Sequence, residues 1–160
     1  MLAIRKHTKT KSLLSVLVML GYICGVGGYS VHSSCLPHIL YGFGHANIFH
    51  LACNLFVLWA IRNNIRILPA FIISVLASYI PQMVYDNTVG LSGFLFASFG
   101  LMWGKTGMLV RAMKTVLPFI VLTIALPQTN GMLHMYCFVL GFVLEYLYTR
   151  IKMRFHSSSR

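Results

Sequence analysis

Apolar residues run through the chain in long blocks broken by short polar or basic stretches, and the spacing of the breaks predicts six helices, five of near-spanning length and one shorter. The first block follows Lys11 and ends near Ser30. It is longer than a signal-peptide core, so it reads as a retained helix over 12–30. Residues 31–44, with Pro37 and no Lys or Arg, form a polar connection. A second helix is predicted over 45–61, ending at Arg62 and Arg66. A third covers 67–85, with Pro69 near its start and Pro81 near its end, where proline is tolerated or ends a helix. After a loop at 86–89, a fourth helix runs from Ser92 to Lys105. The fifth follows a basic turn over 105–114; Arg111 and Lys114 can snorkel from its first turns and Pro118 can bend it. Residues 127–131 turn the chain into a sixth helix over 132–150. No internal repeat is visible.

Composition gives this pattern its solvent. At 58% apolar and 9% charged residues, the chain reads as an all-α integral membrane protein of one compact domain, not a soluble fold. A net charge of +11 would ordinarily suggest nucleic acid, but the basic residues cluster at helix ends and form no soluble basic module, so no nucleic-acid partner is expected. With six helices and both termini cytoplasmic, all thirteen Lys and Arg residues fall on the cytoplasmic side, as the positive-inside rule requires. The organisation expected is a basic tail at 1–11, a membrane domain at 12–151 and a second tail at 152–160. Cys24, Cys35, Cys53 and Cys137 lack metal-type spacing, and three of them fall in apolar helices, where a free buried thiol is the expected state. No metal or cofactor is implied.

Candidate chemistry begins at Ser92, which opens the fourth helix between Gly90 and Gly93. Ser92, Gly93, Ala97, Gly100 and Gly104 share one broad face, a stripe that lets neighbouring helices approach closely in a membrane. The helix should therefore be surrounded, and it is short: Ser92 stands about 20 Å above Lys105, submerged in a hydrocarbon core about 30 Å thick. Measured from its own basic anchor, His50 stands about 18 Å above Arg62 and His134 about 24 Å above Arg150. Asn54 lies one turn below His50 on the same face. Three helices thus bring polar side chains into one layer where such groups are costly and tend to be functional. Ser92 and His134 can act as nucleophile and general base, while His50, Asn54 and the backbone N–H of Ser92 can donate to an oxyanion. Neither acidic residue can easily orient the base, since Asp86 is in a loop and Glu145 lies about 16 Å further along the sixth helix, so a dyad is expected.

At these residues the sequence resembles the rhomboid intramembrane serine proteases. The pattern from His45 through His50 to Asn54 is similar to their second-helix motif, Gly90-x-Ser92-Gly93 to their fourth-helix motif, and His134 with Gly141 to their sixth-helix motif. The Phe-Leu-Phe-Ala continuation after Gly93 and Trp103 also agree, and the likeness covers roughly residues 12–151. The resemblance implies a six-helix bundle that cleaves transmembrane segments near the outer membrane boundary, with Ser92 as nucleophile, His134 as base and His50 and Asn54 as oxyanion donors. It makes His45 a packing or cavity residue. Its partners would be transmembrane protein substrates and membrane lipid, in an inner or plasma membrane if the source is bacterial, with the site opening to the outer face.

Three departures mark this chain. Phe96 replaces the family's usual tyrosine one turn after the serine, keeping a ring to stack on His134 but losing the hydroxyl. Cys137 replaces a glycine on the face turned toward the Ser92 helix, so either the helices stand further apart or Gly93 and Ala97 make room. The 31–44 connection is short, as in a minimal core without accessory domains. A catalytically inactive rhomboid-like chaperone or adaptor is the alternative reading. A histidine-lined transporter or proton channel is another. A metalloprotease lacks the His-Glu-x-x-His it would need, and His45 and His50 would diverge by about 140° on one helix.

Overall fold

The computed structural model describes residues 2–30, 32–61, 66–80, 87–125 and 129–157. Arg62, Pro81, Asp86, Pro127 and the start of the 31–44 connection lie outside the described residues. Among those described there are seven α-helices and no strand beyond an isolated bridge: α1 (Leu2–Ile23), α2 (Cys35–Leu40), α3 (Ile48–Ala60), α4 (Ile67–Ser78), α5 (Ser92–Gly104), α6 (Leu109–Ala125) and α7 (Gly131–Ser157).

Four of the six expected helices, the first, second, third and sixth, differ from expectation by more than a residue or two at one end. The first starts at Leu2, because Lys and Arg are good helix formers and nothing in the basic segment breaks the turn. It closes at Gly25, whose φ of 66° suits glycine, with Val26 N–H bonded to the Gly21 carbonyl and Gly25 N–H to that of Tyr22. The second helix begins only at Ile48, since Asn47 caps it by accepting from His50 N–H at 2.8 Å. This leaves His45 outside the helix, so the 140° divergence does not apply. The third ends at Ser78, the fifth starts at Leu109 with Arg111 and Lys114 exposed in its first turns, and the sixth continues past Arg150 to Ser157.

The polar 31–44 connection is structured as well. It contains α2 and a 3-10 turn at Tyr41–Phe43, held by contacts that local sequence does not display. His38, buried on α2, bonds Ser78 Oγ at 2.8 Å and stacks on Tyr79, and Tyr41 sends its hydroxyl to the Ser74 carbonyl at 3.1 Å.

The centre of the bundle is α5, which touches α3, α4, α6, α7 and the 3-10 turn and packs most extensively on α7. The small-residue stripe makes this possible. A Cβ on Gly100 would stand 2.3 Å from the Phe138 carbonyl oxygen, and one on Gly141 would stand 2.6 Å from that of Ala97, so the two backbones meet where neither carries a side chain. Cys137 is fully buried, with Sγ 3.5 Å from where a Gly93 Cβ would lie. Gly93 has made the room. The other cysteines are exposed on the bundle's exterior, contrary to the expectation that the helical ones are buried.

The exterior is apolar, with Phe49 79% and Phe56 75% exposed on α3 and many Leu, Ile and Val side chains likewise outward. Among the described residues, α7 alone is long and apolar enough to cross a membrane by itself; α2 with its 3-10 turn and α3 would do so together, bent by 77°. At one end of the bundle Lys11 donates to the Ile61 carbonyl beside Trp59, and Arg66 pairs with Glu145, which packs against Gly104.

Candidate active site

Ser92 is the first residue of α5, and the strand of chain before it is held on three sides. Thr88 exchanges backbone hydrogen bonds with Tyr29 at 2.8 and 3.0 Å, Gly90 N–H bonds the Tyr41 carbonyl at 2.9 Å, and Asn130 Nδ2 donates to Thr88 Oγ1 at 2.7 Å. Gly90 adopts φ 126°, a conformation L side chains rarely take. A Cβ there would also lie 2.6 Å from His50 Cε1 and 2.9 Å from His50 Nε2. The absence of a side chain is what lets the imidazole of α3 reach the head of the Ser92 helix.

The same Asn130 sets up the opposite partner. Its side-chain oxygen accepts from Leu133 N–H at 2.9 Å and its carbonyl from His134 N–H at 3.2 Å, capping α7 and fixing His134 in its first turn. His134 Nε2 then lies 2.7 Å from Ser92 Oγ. Phe96, one turn below Ser92, stacks on the imidazole with ring centroids 4.5 Å apart and planes within 8°. The lost tyrosine hydroxyl has not cost the stacking. On its other nitrogen, His134 Nδ1 lies 3.0 Å from Thr123 Oγ1 of α6, a contact the sequence reading missed.

On the α3 side, Asn54 is buried with Nδ2 3.0 Å from His45 Nε2, which is also 3.4 Å from Leu91 N. Both partners are donors, so His45 Nε2 must accept and the ring proton is on Nδ1. His45 meets His50 edge to face at 5.1 Å between centroids. The Asn54 amide nitrogen lies 3.5 Å from the Gly90 Cβ position. The four residues singled out on three helices therefore converge: Ser92 and His134 touch, and His50 and Asn54 flank Gly90 two residues before the serine. Gly93 and Gly141 are packing positions, where Tyr41 Oη would stand 2.5 Å from a Gly93 Cβ. Among the described residues no three His, Cys, Asp or Glu side chains are grouped as a metal site would require.

Thr123 could have been noticed only as a polar residue five positions after Pro118 in an apolar helix, a weak signal. Asn130 carried a stronger one, an N-capping residue before a helical run.

No curated protein matches the chain. A family model described as the Rhomboid domain matches residues 32–151, a span that contains Ser92, His134, His50 and Asn54 and most of the chain. The chain belongs to the rhomboid family.

Proposed function

We propose that the protein is an intramembrane serine endopeptidase in which Ser92 attacks and His134 serves as general base. The observation that carries this is the Ser92 Oγ to His134 Nε2 distance of 2.7 Å, within hydrogen-bond reach and held from both helix ends. In the first step His134 takes the hydroxyl proton while Ser92 Oγ bonds to the scissile carbonyl carbon. The tetrahedral intermediate collapses as His134 returns the proton to the leaving amine, and water then releases the acyl group by the reverse sequence. The negative oxygen would lie beside Gly90, where His50, the second N–H of the Asn54 amide and the Ser92 backbone N–H can donate. His45 holds Asn54 for this role by accepting its first N–H. His50 presents Nε2 to that position, 2.9 Å from where a Gly90 Cβ would lie.

Members of the rhomboid family act on membrane proteins in the bilayer, and this chain is read the same way. We assign six spans to α1, the bent α2–α3 unit's α3 limb, α4, α5, α6 and α7, within a membrane domain at 12–151 flanked by basic segments at 1–11 and 152–160. Both termini are cytoplasmic in this arrangement. It is supported by Lys11, Ile61, Arg66 and Glu145 meeting at one end while the Ser92 site lies at the other. Substrates would be transmembrane segments whose helix unwinds near the outer boundary, exposing a peptide bond to Ser92. No metal or cofactor enters this chemistry.

The test is incubation of purified protein in detergent with a panel of transmembrane substrates, alongside Ser92→Ala and fluorophosphonate labelling. Cleavage lost in Ser92→Ala is the expected outcome. Substantial turnover in that variant would overturn the mechanism, and substrate binding with neither cleavage nor labelling would favour an inactive membrane chaperone.

A further inference from the structure

Beyond the Ser92–His134 pair, one group touches the reacting imidazole from a third helix. Thr123 lies near the end of α6, half-buried, and its Oγ1 has two neighbours: the Ile120 carbonyl oxygen at 2.8 Å and His134 Nδ1 at 3.0 Å. A hydroxyl carries one proton. The Ile120 carbonyl can only accept, so the hydroxyl proton is directed there, in the back-bonded arrangement common for threonine in helices. Thr123 Oγ1 then faces the imidazole with a lone pair. Only a proton on Nδ1 satisfies both atoms, which leaves Nε2 bare and facing Ser92 Oγ at 2.7 Å.

We propose that Thr123 is a positioning residue that holds His134 in the Nδ1–H tautomer, the form able to take the Ser92 proton, and so makes α6 part of the catalytic apparatus. The inference rests on the reading of Ser92 and His134 as a working pair. The hydrogen bonds run in one direction: Ser92 O–H to His134 Nε2, His134 Nδ1–H to Thr123 Oγ1, Thr123 O–H to Ile120 O. When the serine proton moves to Nε2, the imidazolium keeps its bond to Thr123 and the rest of the chain need not reorganise. In the opposite tautomer Nε2–H would point at the serine, and the Thr123 hydroxyl would have to abandon Ile120.

The threonine is itself held. Its branched β-carbon restricts χ1, Thr129 Oγ1 donates to its backbone carbonyl, and Gly131 lets α7 start against the α6 backbone, where a Cβ would lie 2.7 Å from Ile124 N. No carboxylate competes for the role among the described residues, since Glu145 is paired with Arg66 at the opposite end. A neutral acceptor offers orientation with little charge stabilisation, unlike the aspartate of a soluble triad.

Thr123→Val removes the acceptor at nearly constant shape, and Thr123→Ser keeps it. In the wild type, ¹⁵N NMR of labelled protein, with His134 assigned by difference from His134→Phe, should show a pyrrole-type Nδ1 and a pyridine-type Nε2. Thr123→Val should mix or reverse that pattern and lower kcat at nearly unchanged KM, by less than the about 10⁴-fold lost when the tautomer-fixing aspartate of a soluble triad is neutralised. Thr123→Ser should restore both. A wild-type spectrum with the proton on Nε2 would overturn the proposal without recourse to any variant. So would a Thr123→Val protein with an unaltered spectrum and full rate, or a Thr123→Ser protein as impaired as the valine. Failure of the dyad itself would appear separately, as turnover that survives Ser92→Ala.

Discussion

The crossing of α5 and α7 at Gly100 and Gly141 offers the sharpest test of how the site is held. In Gly100→Ala the new Cβ would meet the Phe138 carbonyl oxygen at 2.3 Å, Phe142 N at 2.8 Å and Gly141 Cα at 3.0 Å. All three are backbone atoms, so no rotamer change can relieve the contact and the helices must separate by about 1 Å to reach ordinary van der Waals range. Overpacking of this kind costs about 1–3 kcal/mol, and alanine's better helix propensity returns about 1 kcal/mol, leaving a net loss of up to about 2 kcal/mol. Ser92 is on one of these helices and His134 on the other. A rigid 1 Å shift would stretch their contact from 2.7 Å to about 3.7 Å, no longer a hydrogen bond. Misplacement on that scale can slow turnover about 10²-fold. The assay pairs a melting curve in detergent with cleavage of a transmembrane substrate. Gly42→Ala is the control, because nothing lies within 4 Å of its Cβ position and both readouts should stay near wild type. A Gly100→Ala protein that melts and cleaves like the wild type would refute the close approach.

Ser92→Ala and His134→Ala should each abolish cleavage while the protein stays folded, and the double variant should be no worse than either, since the two act as a unit; a further loss in the double variant would contradict that. Asn54→Ala should slow turnover by up to about 10²–10³-fold without abolishing it, and unchanged kinetics in both Asn54→Ala and His50→Ala would mean the oxyanion is met by other groups. Asn130→Ala removes the α7 cap and the Thr88 bond together, and should lower stability by about 1 kcal/mol or more with a parallel fall in rate; an unchanged melting curve would dismiss the clamp. For Cys137, fully buried against Gly93, Cys137→Gly should leave a void and lose stability by about 2 kcal/mol, while Cys137→Leu should overpack by about 1–3 kcal/mol. A well-tolerated leucine would show that the side chain has room the packing does not suggest.

The Cys137 expectation follows from a choice that spacing left open: the thiol could have held the helices apart, but with Sγ 3.5 Å from the Gly93 Cβ position it is a filler. What was legible were the polar residues whose presence in apolar helices is costly: His50, Asn54, Ser92 and His134 stand out because a membrane tolerates them only for a reason, and helix rise alone brought them to one depth. Thr123 gave no such signal. A threonine hydroxyl can return to its own helix backbone, so it travels in apolar helices at little cost and its contact with His134 depends on how α6 docks. Nor could spacing reveal α2, six residues containing Pro37 that are helical because His38 is wedged among Ser78, Tyr79 and Tyr29. Register along one helix is a local property; who sits across from it is not.

The clamp around Gly90 has a consequence for the order in which a newly made chain becomes reactive. The serine follows a loop fastened by Tyr29 and Tyr41, both already synthesised when it emerges, and by Asn130, which is not. His134, 42 residues later, needs that same asparagine to start its helix. On the proposed reading, a nascent chain paused between Ser92 and Asn130 carries a nucleophile with no base and a half-fastened loop. The protein thus traverses its own biogenesis inert among unfinished helices, and competence arrives in a single step when the last helix docks.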